Sequence, residues 1–144
     1  MPLLKRVRVL GAKIEATPGT AETITNAEAA FNVFDVECQS TMTVTERMQQ
    51  GGFGMLLSAV EGHGGTCSFK LNPYGDGAGG VPAWASTFLP ACGMVNTAGV
   101  FSPVAEAPGT NVKTLTIAVY ENGIVKTLVG AAGDMTLNFP TGNL

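Results

Sequence analysis

Large apolar residues recur at every second position within Lys113 to Tyr120. Leu115, Ile117 and Val119 fall on one side and Thr114, Thr116 and Tyr120 on the other, which is the two-residue period of a β-strand. Glu121-Asn122-Gly123 then supplies a turn, because Asn-Gly accepts positive φ at both central positions, and Ile124 to Val129 returns as an antiparallel strand. Register follows from loop length. A two-residue Asn122-Gly123 loop sets Ile117 opposite Leu128, whereas a three-residue loop would shift the pairing by one and exchange the faces; the shorter loop is expected. After Gly130-Ala131-Ala132-Gly133 a third strand is predicted, with Met135, Leu137 and Phe139 alternating with Asp134, Thr136 and Asn138 until Pro140 ends it.

Earlier in the chain, Val7 and Val9 alternate with Arg6 and Arg8, and Ile14 sits between Lys13 and Glu15, giving an extended segment broken near Gly11. Thr17-Pro18-Gly19-Thr20 reads as a turn in which proline presets the second position and glycine accepts positive φ at the third. A polar stretch, Ala21 to Ala30, leads to a strand from Phe31 to Glu37. Phe31 and Val33 oppose Phe34 and Val36 there, so burial on both sides is expected.

Gln39 to Gln50 is polar and threonine-rich, alternates only around Thr43-Val44-Thr45, and runs into Gly51-Gly52-Phe53-Gly54; it suits a long hairpin or a flexible excursion. Met55 to Val60 reads equally as strand or as a short helix. Gly62-His63-Gly64-Gly65 is predicted to be loop, and Thr66 to Leu71 a strand with Cys67, Phe69 and Leu71 on one face. Past the loop Asn72 to Gly80, a helix is predicted over Val81 to Leu89, with Pro82 in its first turn and Trp84 and Phe88 on one face. Pro90 removes the bond to the Ser86 carbonyl, so the helix kinks there or passes into a short turn ending at Gly93. Asn96 to Asn111 reads as connecting loop.

Length and composition narrow the class. The 144 residues allow a single domain spanning 1–144, or one half of a duplicated architecture, and 45% hydrophobic residues suffice for a core. Only 13% of residues are charged while glycine is abundant at 19, so much of the surface is small and weakly hydrated, as suits burial against other subunits. A formal charge of −3, with Lys5, Arg6 and Arg8 as the one basic cluster, argues against a DNA-coating protein, whose affinity comes from clustered cations releasing counterions. No apolar run approaches the roughly 20 residues of a membrane span, and Met1 to Arg6 lacks a signal-peptide core, so synthesis in the cytoplasm is expected. Cys38, Cys67 and Cys92 are odd in number and widely spaced, which indicates neither a disulfide framework nor a zinc site and leaves buried thiols as the expectation.

Candidate chemistry is thin. Gly75-Asp76-Gly77-Ala78-Gly79-Gly80 satisfies Gly-x-Gly-x-x-Gly between a strand and a helix, but Asn72-Pro73-Tyr74 intervene after the strand and a Gly/Pro loop follows the helix, so a plain glycine loop is the better reading. His63 has no second histidine with which to build a metal site or a nucleophile–base pair, and pairing with Cys67 or Cys92 would join a strand-face thiol to a glycine loop. Glu106 and Glu121 fall in predicted loops or turns, where solvated charge is the ordinary explanation. Trp84 with Phe88 reads as a core contact before a ligand pocket. No residue set qualifies as catalytic, cofactor-binding or metal-ligating, and no enzyme activity is expected.

Three stretches carry a resemblance. Thr114-Leu115-Thr116-Ile117-Ala118-Val119-Tyr120-Glu121-Asn122-Gly123-Ile124, followed by Gly130 and Gly133, resembles the closing hairpin of tail tube proteins of long-tailed bacteriophages. Lys13-Ile14-Glu15-Ala16-Thr17-Pro18-Gly19-Thr20 is similar to that family's early Lys-x-Glu and Gly-Thr segment, and Pro82-Ala83-Trp84 with Ala91-Cys92-Gly93 to its helix and following turn. The resemblance implies a mainly β fold, a β-sandwich or flattened barrel with one flanking α-helix. It further implies self-assembly into stacked rings that form a conduit for DNA, hexameric for this domain or trimeric if the natural chain carries it twice. Inner strands of neighbouring subunits would join edge to edge, and a loop matching Gln39 to Gly54 would bridge successive rings. Implied partners are further copies of the chain, tape-measure and tail initiator or terminator proteins, and passing DNA held without specific binding. The implied location is the virion tail, with no membrane. Known members often continue past the closing strands, whereas this sequence stops at Leu144, which leaves a half-length form open. A bore through which DNA slides should not be cationic, so Lys113 and Lys126 are expected at subunit contacts or on the outer surface. A tail terminator or connector ring is the alternative, and a ligand-binding β-sandwich module stands further off for want of an exposed aromatic platform.

Overall fold

The structure is a computed structural model and describes residues 8–28, 31–45, 59–103, 113–121 and 123–138. Among the described residues the protein is mainly β-strand with one short helix, in three antiparallel sheets. The strands β1 (Arg8–Ile14), β6 (Leu115–Glu121) and β7 (Ile124–Ala131) form a sheet in the order β1-β6-β7. Two ribbons accompany it: β2 (Val33–Thr45) with β3 (Ala59–Leu71), and β4 (Met94–Thr97) with β5 (Val100–Pro103). The helix α1 (Ala83–Ala91) lies between β3 and β4 in sequence. No ladder joins one sheet to another among the described residues.

The closing hairpin has the expected register. Glu121 pairs with Ile124 and Ile117 with Leu128, the signature of a two-residue loop, and Gly123 takes φ 82°. Asn122 itself lies outside the described residues. The expected third strand does not form: Ala132 to Asn138 carry no ladder, and the Gly133 N–H donates instead to the Ala91 carbonyl at the end of α1 (3.2 Å). Phe139 and Pro140 lie outside the described residues.

Strand β6 is central and buried on both faces. Leu115, Ile117 and Val119 point to the core, while Thr116 and Ala118 on the opposite face are equally inaccessible. Their cover is the chain after the Thr17–Thr20 turn: the Glu22 N–H donates to Thr116 Oγ1, and the Ala12 N–H donates to the Glu28 carbonyl. Strand β1 runs unbroken through Gly11, which sits opposite Ala118, so the expected break is absent. Its core residues are Leu10 and Ala12, while Val9 is exposed.

Strand β2 is not buried on both sides as the pattern suggested. Phe34 pairs with Lys70 and Glu37 with Ser68, so Asp35 and Val36 together oppose Phe69 alone. This β-bulge, with Asp35 at φ 51°, shifts the alternation by one residue. Val33, Val36 and Cys38 thereby all turn to the core and Phe34 is left half exposed. Lys70 holds the bulge through Asp35 (2.7 Å).

Gly62-His63-Gly64-Gly65 is strand, not loop: it continues β3 opposite Ser40 to Thr43. The backbone ladder alone specifies it, which side-chain patterning cannot reveal. A Cβ on Gly65 would lie 3.1 Å from Leu128 Cδ1 and 3.3 Å from the Gln39 carbonyl, so the approach of β3 to β7 is tight at this glycine. The segment read as loop from Asn96 likewise opens with a hairpin, β4 to β5. Ala98 and Gly99 both have positive φ (51° and 87°), and the Gly99 N–H donates to Asn96 Oδ1 (2.9 Å). Without Asn-Gly at its centre this turn lacked its usual signal.

The core lies between the three-stranded sheet, the β2–β3 ribbon and α1. Leu10, Ala12, Val36, Leu115, Ile117 and Val119 meet Phe88 and Ala91 of the helix. Phe31 and Phe69 pack their rings on Phe88 with centroids 4.9 and 5.1 Å away. Trp84 shares this side of the helix and anchors the preceding loop by donating from Nε1 to the Tyr74 carbonyl (2.8 Å). The helix tolerates Pro90 because it falls in the last turn, and Gly93 at φ 78° ends it with its N–H on the Pro90 carbonyl. Replacing Ala98 by glycine removes a positive-φ penalty of roughly 1 kcal/mol; thermal unfolding of Ala98→Gly is expected to shift upward by a few degrees.

Candidate assembly surface

Glu15 organises the hairpin. It follows β1, is 2% exposed, and its carboxylate accepts four hydrogen bonds. Oε1 takes the Gly130 N–H (2.7 Å) and the Thr116 hydroxyl (2.9 Å); Oε2 takes the Gly19 N–H (2.7 Å) and the Thr114 hydroxyl (2.6 Å). The donors come from the turn, from β6 and from the end of β7, so a single side chain pins three segments. Gly130 takes φ 71°, and a Cβ there would approach Gly19 Cα at 3.5 Å. Burial by itself would raise the Glu15 carboxyl, but the bonds from Thr114, Gly130, Gly19 and Thr116 outweigh it and hold the pKa at about 2.

The sheet so fixed ends in an open edge. Strand β7 has β6 as its one ladder neighbour among the described residues, and Ile124, Val125 and Val129 along it are exposed. On the face away from the core, Val9, Tyr120 and Val125 are direct cross-strand partners, and all three are exposed, forming an apolar row across the sheet. No charge interrupts that face of the hairpin at Tyr120, Val125, Thr127 or Val129.

The second feature is a projecting ribbon. Beyond the core, β2 from Gln39 to Val44 is exposed, as are Gly62, His63 and Gly64 opposite. Met42 and Val44 are each at least half exposed. The segment expected to be a long hairpin or an excursion is therefore a hairpin as far as Thr45 and Ala59; residues 46–58 lie outside the described ones.

Charges gather at one end of the sheet interface, around an open groove of about 410 Å³. Arg8 donates from Nε and Nη2 to Glu121 Oε1 (3.1 and 2.9 Å) and from Nη1 to the Val36 carbonyl, joining the two sheets. Lys126 Nζ lies 3.8 Å from Glu121 Oε2. Glu121 is thus a half-buried strand residue in an ion-pair network, not a solvated turn charge, and Arg8 serves structure instead of a basic patch. Lys5, Arg6 and Glu106 lie outside the described residues.

The other residues singled out in the sequence stay apart. Gly75 to Gly80 is an exposed loop in which Asp76 accepts the Ala78 N–H (3.0 Å). His63 is exposed on β3 opposite Met42. Lys113 is exposed. Cys38 and Cys67 are directly opposed across β2 and β3, with Cα atoms 4.1 Å apart, and form a disulfide, overturning the expectation of free thiols. Cys92 remains a thiol, which burial and Asp134 push above its usual pKa. No group of side chains able to hold a metal ion occurs among the described residues, and no described helix is long and apolar enough to cross a membrane. No protein-family model, curated protein or solved structure matches the chain.

The depressed Glu15 pKa fixes the sign of a pH dependence. The folded state binds its proton less readily than the unfolded chain, so the contribution is complete above about pH 4.5 and is lost as pH falls toward 2. Glu15→Gln is expected to cost about 2–3 kcal/mol at neutral pH, since an amide places a donor against donors. Urea unfolding between pH 2 and 7 should show a smaller loss on acidification for the variant than for the wild type.

Proposed function

We propose that this chain is a structural subunit of a bacteriophage tail tube, self-assembling into stacked rings that form a conduit for DNA. The observation that carries this reading is the open β7 edge. A long strand with apolar, weakly charged exposure and no blocking lysine row is the kind of edge that natural monomers avoid. Pairing with the corresponding sheet of a neighbouring copy satisfies its outward backbone groups, and closing the circle removes the edge altogether.

Two further features support the reading. The β2–β3 ribbon leaves the core as a two-stranded element, which alone is marginally stable in water and gains order by docking on a second surface; contact with a successive ring supplies one. The face of the closing hairpin away from the core is uncharged at Tyr120, Val125, Thr127 and Val129, and Lys126, on its other face, lies 3.8 Å from Glu121, so neither offers a row of cations to retard a sliding phosphate backbone. The role is passive, without turnover. A tail terminator or connector ring uses the same edge logic and differs in giving discrete rings.

Negative-stain microscopy of the purified chain over a concentration series tests the reading. Rings or tubes of constant bore are expected, tubes pointing to the tail tube and rings alone to the terminator or connector. The double variant Val125→Lys/Val129→Lys should sediment as a monomer while keeping its circular dichroism and melting temperature within a few degrees, since both side chains are exposed. A wild-type chain that stays monomeric at every concentration overturns the proposal.

A further inference from the structure

The Cys38–Cys67 pair stands where the β2–β3 ribbon leaves the core. Both cysteines are half buried and pack against the core beside Val36 and Phe69. One residue further, Gln39 and Thr66 are already exposed, and beyond them Ser40 to Val44 and Gly62 to Gly64 are exposed, with Gly65 half buried. The strand opposite Ser40 to Thr43 is Gly62-His63-Gly64-Gly65, and Cβ atoms on Gly62 or Gly64 would meet nothing within 4 Å. Glycine-rich, two-sided polar strands specify their register weakly, because a slip exchanges no buried for exposed side chains. The register of the projecting ribbon is therefore set chiefly at its base, by the one cross-strand pair that can be covalent.

We infer that Cys38 and Cys67 form a reversible thiol–disulfide clasp that governs the order of the projecting ribbon: oxidised, it holds the register fixed; reduced, it lets the ribbon open and slide while the core stays folded. The inference rests on the location of the pair and holds independently of what the ribbon docks against. Oxidation proceeds by exchange with a small-molecule disulfide. One protein thiol, as thiolate, attacks a sulfur of that disulfide, forming a mixed disulfide and releasing one small thiolate. The second protein thiolate then attacks the protein sulfur of the mixed disulfide and releases the other. Two protein thiols lose two electrons, the small disulfide gains them, and the two protons end on the released thiols. The two residues are direct cross-strand partners, so their side chains already face one another across the ladder.

The full chain is equilibrated in glutathione buffers from reducing to oxidising, quenched by thiol alkylation and mapped by peptide mass spectrometry, with hydrogen exchange followed in parallel. A single intramolecular 38–67 bridge is expected, with Cys92 alkylated throughout. Amides of residues 39–45 and 62–66 should exchange at least about tenfold faster in the reduced protein, with those of β6 unchanged. The Cys38→Ser/Cys67→Ser variant should show the fast ribbon under both conditions; reduced wild type provides the same comparison should the variant not fold. A bridge involving Cys92, absence of any bridge in oxidising buffer, or identical ribbon exchange in the two states each overturns the inference.

Discussion

A buried carboxylate with no cation beside it among the described residues ties the sheet of this protein together. Glu15 is satisfied by two hydroxyls and two backbone N–H groups, the arrangement that makes an interior negative charge tolerable. Its partners lie far along the chain, at separations of 99, 101 and 115 residues for Thr114, Thr116 and Gly130. The first strand, the turn after it and the closing hairpin are consequently one unit. The turn cannot lift from the sheet without stranding donors and acceptor together, and the covering segment that buries Thr116 and Ala118 depends on that turn for its path.

From that unit two elements reach outward, and they differ in kind. The β7 edge is backed by β6 and by the core behind Leu128. Past Cys38 and Cys67 the β2–β3 ribbon keeps, among the described residues, little backing beyond half-buried Gly65 beside Leu128. A backed edge suits repeated, identical pairing with other copies, and a sparsely backed ribbon suits contacts that adapt to the surface they find. The assembly reading assigns these tasks to lateral and axial contacts respectively.

How much of this was legible depended on whether the cause was local. The Ile117–Leu128 register was, because Asn122-Gly123 and the flanking alternation lie within a few residues of each other. The turn at Gly93 was foreseen as one of two outcomes at Pro90, whereas the helix itself continues through Pro90 to Ala91. The ribbon through Gly62 to Gly65 was not, since backbone pairing specifies it and glycine leaves no pattern. The third closing strand failed because alternation at Met135 and Leu137 says nothing about an available partner, and Gly133 bonds to the helix end instead. The cysteine pairing was hidden by a separation of 29 residues and by the odd third thiol. Of the candidate surface, the low charge and the weakly guarded hairpin were visible in advance. The Glu15 hub was missed, although an acidic residue beside a Thr-Pro-Gly-Thr turn, with Thr114 and Thr116 alternating on a distant strand, was the available clue.

The bulge at Asp35 separates two properties that are usually tied together. Without Asp35 the run Val33, Phe34, Val36, Glu37, Cys38 alternates perfectly, inward and outward, against Lys70, Phe69 and Ser68. With Asp35 present, the bulge is what keeps Val36 and Cys38 facing the interior, and it bends the strand as it does so. The strand thereby carries one residue more than its partner without exposing Val36 or Cys38, and its bend falls on the packed side of the Cys38–Cys67 pair, so the direction of the projecting half is decided inside the core.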